Sequence, residues 1–189
     1  MKAEAQPKEK LFQTAADLFY RHGYRAIGVD TIAAESGIGK MTLYRHYPSK
    51  DDLIVAYLKE RNDSFWHNFD EITKDAATAR EKLLAFFEAL QNYVKTPACH
   101  GCPFINVATE YPETDHPGHQ VALEHKQSVR ARFRQLAKEA GAQNPEALAD
   151  QLFLLMDGAY VAARMFGTKN PASHLASAAK TLIDAQISV

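Results

Sequence analysis

Apolar residues recur along this chain at intervals of three and four, the repeat of an α-helix with one buried face. Leu11, Ala15, Leu18 and Phe19 mark a first helix, which Gly23 can stop in the left-handed conformation. A short second helix begins near Val29 and carries Thr31, Ile32, Ala33 and Ala34 until Gly37 breaks it. A third spans 40–47 and is closed by Pro48. Ser49 then caps a longer helix, with Asp52 three positions on as a shortened capping-box acid and Asp51 beside it at the positive end of the dipole. That helix presents Leu53, Ile54, Tyr57, Leu58, Phe65, Trp66 and Phe69. Helical spacing also predicts elements over 78–95, 104–110, 119–140, 145–166 and 172–187. In the fourth of these, Leu148, Leu152, Leu155, Ala159 and Ala162 form one face, and Phe153, Met156 and Tyr160 another. Residues 97–118 hold four prolines and are the least regular stretch. No strand alternation, internal repeat or low-complexity tract is present, so the expected class is all-α, with about nine helices.

Composition narrows the function classes. The chain has 189 residues, 46% hydrophobic and 24% charged, enough for a real core. No apolar run approaches the ~18 residues of a membrane helix, and residues 1–10 are too polar for a secretory signal, so a cytoplasmic protein that does not engage membranes is expected. Two cysteines cannot build a disulfide framework. The net charge of −1 excludes a uniformly basic nucleic-acid coat. Its distribution is uneven, however: residues 1–50 carry eight Lys/Arg against five Asp/Glu, and the remainder fourteen against eighteen. The basic excess lies at the front, where a nucleic-acid module would need it.

The informative stretch is 29–50. Two short helices joined by a glycine turn are the shape of a helix-turn-helix. Ile32 and Leu43 point inward, Ala33 allows close crossing, Gly37 takes the positive φ of the turn and Ile38 plugs the gap beneath it. Lys40, Met41, Thr42, Tyr44, Arg45 and His46 are left outward, a largely cationic and hydroxyl-bearing face suited to phosphates and base edges.

The run Ile-Ala-x-x-x-Gly-Ile-x-x-x-Thr-Leu-Tyr-Arg-His-Tyr-x-Ser-Lys-x-x-Leu, from 32 to 53, resembles the DNA-binding signature of TetR/AcrR-type transcriptional regulators. The close likeness covers about residues 10–55. The resemblance implies a helix-turn-helix domain over 1–48 and a larger ligand-binding and dimerisation domain over 49–189. It implies phosphate contacts from Thr42, Tyr44, His46 and Lys50, base reading by Lys40, Met41 and Arg45, and a backbone contact from Thr31. Gly28 and Gly39 depart from the family, standing where Ser or Thr often caps the second and third helices. A glycine cap costs only a few tenths of a kcal/mol against the polar caps, but it removes any phosphate contact from a hydroxyl at 39.

The expected partners are a pseudo-palindromic double-stranded operator, a small-molecule inducer and a second copy of the chain. The dimer would form through the helices at 145–166 and 172–187, the first apolar on more than one face and the second rich in alanine. Two such heads would read half-sites about 34–36 Å apart. Trp66, Phe69, Phe87, Phe104, His125 and Phe133 are candidate pocket residues, with plain core packing as the alternative for each.

Cys99-His-Gly-Cys102 is the most reactive-looking motif, because a helix N-terminus and a neighbouring His lower a thiol pKa. A Gly-Cys before the sixth helix resembles that of TetR-like members that sense oxidants or electrophiles. Two buried, inert thiols are the alternative. Cys99, His100, Cys102, His116 and His119 come near a zinc spacing, but with only two residues between the last histidines, and no metal or other cofactor is expected. No strand precedes Cys99 as a thiol oxidoreductase would require, and no phosphate loop, nucleophile elbow or carboxylate pair is present, so an enzyme is not expected.

Overall fold

The computed structural model describes residues 7–187; positions 1–6 and 188–189, at the outer ends of the two expected domains, lie outside the described residues. Nine α-helices and two short 3-10 turns make up the regular structure of the described residues, with no strand among them. The helices are α1 Pro7–His22, α2 Val29–Ser36, α3 Lys40–His46, α4 Lys50–Thr73, α5 Ala79–Val94, α6 Pro103–Glu110, α7 Pro117–Glu139, α8 Pro145–Phe166 and α9 Leu175–Gln186. None is long and apolar enough to cross a membrane.

The boundaries follow local chemistry. Ser49 Oγ accepts from the Asp52 N–H at 3.0 Å while the Asp52 carboxylate takes the Ser49 N–H, a reciprocal cap on α4. Thr78 and Glu81 build a second capping box on α5. Pro103 and Pro117 start α6 and α7 one to two residues earlier than the apolar spacing indicates, because proline fits the first helical turn, where its missing N–H has no partner to lose. Residues 171–174 form a 3-10 turn instead of the first turn of α9. The Asn170 side chain organises it by accepting from Ala172 N–H at 2.9 Å and donating to the Val94 carbonyl.

The backbone groups into two units. The first holds the residues up to Asn62 together with Pro103–Leu123; the second holds Asp63–Cys102 and the residues from Glu124 on. In the first, α1, α2 and α3 pack on one another around Leu11, Ala15, Phe19, Ile32 and Leu43, all buried. Phe19, Tyr24 and Tyr57 form a ring cluster with centroids 5.4–6.1 Å apart.

In the second unit, α5, α8 and α9 pack on one another, and α7 adds Val129, Phe133, Leu136 and Ala137 to the core. The buried stripe of α8 is Leu148, Leu152, Met156, Ala159 and Ala163. This corrects the sequence reading: Met156 belongs to the core stripe, and Leu155 and Ala162 sit at its flank, since steps of four, four, three and four residues stay on one side of a 3.6-residue helix.

Candidate nucleic-acid interface

The head is built around the α2–α3 turn. Gly37 takes φ 67°, and its N–H caps the Ala33 and Ala34 carbonyls. The Ile38 N–H turns back to the Ala33 carbonyl at 3.2 Å and to Ser36 Oγ at 3.3 Å. Ser36 and Ile32 are buried beneath, and Ile38 is half-buried. Leu43 anchors the inner side of α3, and Tyr47 closes the helix with its N–H on the Leu43 carbonyl and its ring stacked on Phe12. A helix of seven residues so pinned has one free side.

That side carries the expected contacts. Lys40, Tyr44 and Arg45 are exposed, Met41 is 89% exposed, and Thr42 and His46 are half-buried at its edges. Thr31 is exposed on α2, and Lys50 is half-buried at the start of α4. Burial lowers the Lys50 pKa, and Asp51 and Glu110 oppose that shift. None of the eight residues points into the core. Gly28 and Gly39 are extended and provide no side-chain cap.

A partner that sequence reasoning missed is Asp30. Its carboxylate lies 2.5 Å from Lys40 Nζ and raises the Lys40 pKa through that hydrogen bond. The available signal was an acid in the first turn of α2, ten residues ahead of the lysine.

The same unit braces the α1–α2 loop. Tyr24 Oη donates to the Pro103 carbonyl at 2.9 Å, and the Arg25 N–H donates to Glu110 Oε2 at 2.7 Å. The Arg25 guanidinium lies 4.9 Å over the Tyr111 ring. His116 stacks on that same Tyr111 ring, at 4.0 Å and 10°, accepts from Gly118 N–H at Nδ1, and sets Nε2 3.5 Å from Asp51. His119 bonds the Tyr111 carbonyl at 2.9 Å. These two imidazoles, weighed above as zinc ligands, serve local packing. Among the described residues no three His, Cys, Asp or Glu side chains are placed to hold a metal ion.

The expected pocket residues divide between the units: Phe104 is buried in the first, the other five lie in the second. Trp66, Phe69, Phe86, Phe133 and Phe87 follow one another ring on ring at 5.3–5.9 Å. His125 is buried with its ring edge-to-face on Phe65 at 4.9 Å. Burial, and then the Lys126 charge, lower its pKa to about 3. Phe65 and Phe86 belong to the same ring cluster, 6.0 Å from each other.

Cys99 and Cys102 are free thiols, 6% and 5% exposed. They lie close enough to the Tyr160 phenol, with Tyr93 and Asp157, to add to the rise in its pKa that burial causes. Arg164 of α8 donates to the His100 carbonyl in the same loop at 3.3 Å. On its outer side α8 exposes Leu154, Gly158, Val161, Met165 and Phe166, Met165 to 70%. On α9, Ala176 and Ala178 are half-buried, Ala179 is buried and Ala185 exposed.

Comparison with known proteins gives a consistent picture. Residues 11–57 match the family described as bacterial regulatory proteins, TetR family, and residues 79–179 match the tetracyclin repressor-like C-terminal domain. A crystal structure of a TetR-family transcriptional regulator from Streptomyces coelicolor superposes with a TM-score of 0.91 at 27% identity, covering 97% of each chain. A TetR-type regulator from Streptomyces avermitilis is 35% identical with a TM-score of 0.86, covering 96% of this chain and 98% of its own. The HTH-type transcriptional regulator YjdC of Escherichia coli is 27% identical over 154 residues, 80% of each chain. These relatives regulate transcription and are not enzymes.

Proposed function

Since the chain belongs to the TetR family of bacterial regulatory proteins, and is thereby a DNA-binding transcriptional regulator, we propose that it is a cytoplasmic, homodimeric repressor released from its operator by a small molecule. One observation carries the reading: a polar, solvent-facing side of α3 over a fully buried Leu43. In this reading residues 1–48 form the DNA-binding domain and 49–189 the ligand-binding and dimerisation domain. Thr31, Thr42, Tyr44, His46 and Lys50 hold phosphates, while Lys40, Met41 and Arg45 meet base edges. The dimer uses the outer side of α8 with α9, and Trp66, Phe69, Phe87, His125 and Phe133, all of the second unit, border the inducer site. The inducer acts by favouring a conformation whose heads no longer fit successive half-sites, and operator affinity falls by its differential affinity for the two states.

A gel shift on the DNA upstream of the protein's own gene tests the first step. Affinity is expected to fall linearly with salt on logarithmic axes. Lys50→Ala should weaken binding on all sequences and flatten that slope by about one unit per head. Lys40 and Met41 variants should shift base preference. Salt-independent binding, or equal losses on every sequence from the last two, contradicts the assignment.

The thiol pair supplies a second input in the same reading, favoured by its nearness to Tyr160 of α8 and by Arg164 of that helix, which holds the His100 carbonyl between the two cysteines. Hydrogen peroxide would take two electrons from Cys99 and Cys102, leaving one disulfide and two waters, and the oxidised loop would loosen its seat on α8. Cys102→Ser is then expected to keep DNA binding in peroxide where the wild type loses it. An unchanged peroxide response removes Cys102 from the mechanism.

A further inference from the structure

We propose that Asp30 sets the DNA specificity of the head by tethering the Lys40 ammonium, so that Lys40 serves base edges and is withheld from phosphates. The inference rests on the reading of α3 as the DNA-facing helix. Asp30 stands in the first turn of α2, Lys40 is the first residue of α3, and the Gly37 turn folds the two helices so that their charges meet at 2.5 Å. The two side chains are 76% and 54% exposed. Both residues lie beside an expected contact: Thr31 follows Asp30, and Met41 follows Lys40.

In water an exposed pair of this kind contributes little to folding. Against a duplex its role changes. The phosphate backbone attracts any free cation whatever the sequence, and that attraction supplies non-specific affinity. A carboxylate on Lys40 cancels this attraction locally and repels a phosphate that approaches the same ammonium. A base edge carries no net charge and meets much weaker repulsion. The ammonium has three N–H donors: one stays on Asp30, and two remain for a pair of acceptors such as guanine O6 and N7. The acid thus taxes backbone contact and leaves base contact intact. The raised Lys40 pKa agrees with an ammonium held in its charged form.

The test uses the full-length protein and two probes: a 30-base-pair duplex of mixed sequence, and the duplex that the wild type selects from a randomised pool. Asp30→Asn is expected to bind the mixed duplex about five- to tenfold more tightly at low salt. Its salt slope should steepen by about one unit per head as Lys40 joins the phosphate contacts. Its ratio of selected to mixed affinity should fall at least fivefold. Lys40→Met in the wild-type background should lower that ratio with little change on the mixed duplex; in the Asp30→Asn background it should abolish the gain. Asp30→Glu, which can rebuild the pair, should behave as the wild type.

An unchanged ratio in Asp30→Asn, or identical Lys40→Met effects in both backgrounds, overturns the proposal while leaving DNA binding in place. A wild type that binds neither duplex removes the DNA reading and the proposal with it. Circular dichroism checks that each variant folds. Should Asp30→Asn fail to fold, Lys40→Met alone decides, because a loss on the mixed duplex as large as on the selected one contradicts a tethered lysine.

Discussion

Single residues in this protein are constrained for different physical reasons. Gly37 is required by φ, since a Cβ in the left-handed region is strained wherever it sits. Gly23 is required twice: its φ is 88°, and a Cβ there would lie 2.6 Å from Glu110 Oε1, the carboxylate that also holds the Arg25 N–H. His125 is constrained by water exclusion. Its ring is buried, and its folded pKa falls from 6.5 to about 3. Between those values the unfolded chain binds a proton that the folded chain refuses. The contribution to stability is therefore complete above pH 6.5 and is lost as pH falls, by up to ~1.4 kcal/mol per pH unit. Urea unfolding at pH 7.5 and pH 5 should show about 2 kcal/mol of such loss in the wild type, and clearly less in His125→Gln. Equal pH slopes in the two proteins would contradict a neutral buried imidazole.

At the level of elements, α8 carries two apolar sides, one buried and one exposed. Its core stripe, from Leu148 to Ala163, packs in the second unit. Leu154, Gly158, Val161 and Met165 repeat at four, three and four residues on another side and are exposed. A Cβ at Gly158 would meet nothing within 4 Å, so the backbone at that point of the stripe is open to solvent. A contiguous apolar stripe on a folded chain favours association, and a self-complementary patch gives a two-fold dimer. Val161→Asp should therefore shift the protein to monomers in sedimentation while its circular dichroism stays unchanged, because the site is already exposed. Operator affinity should fall at least tenfold as two-headed binding is lost. A dimer that persists places the interface elsewhere. Arg80 joins Asp184 and Asn144 N–H meets Gln186, so that α9 is tied by its polar groups as well as by Ala179 and Ile183.

Across the whole molecule, the helix list and the helix-turn-helix were legible from local chemistry. Period, proline, glycine and capping signals act within four residues, and a single sequence displays all of them: Ile32, Gly37 and Leu43 marked the head, and Ser49 with Asp52 marked the start of α4. The family followed from the 32–53 motif and is that of both matched domains. Contacts over tens of residues were not legible. Nothing local says that Asp30 meets Lys40, that Pro103–Leu123 joins the unit of the head, or that Phe104 lies in a different unit from the other candidate aromatics. The same limit explains α8: periodicity announced two apolar sides, and only packing decided that Met156 is core and Leu154 is not. Sequence by itself thus determined which segments are helical and which side of α3 is polar, because both depend on neighbours along the chain. Tertiary structure alone decided which charges pair, which thiols are covered and which apolar side stays wet, because those depend on partners the chain brings together only on folding.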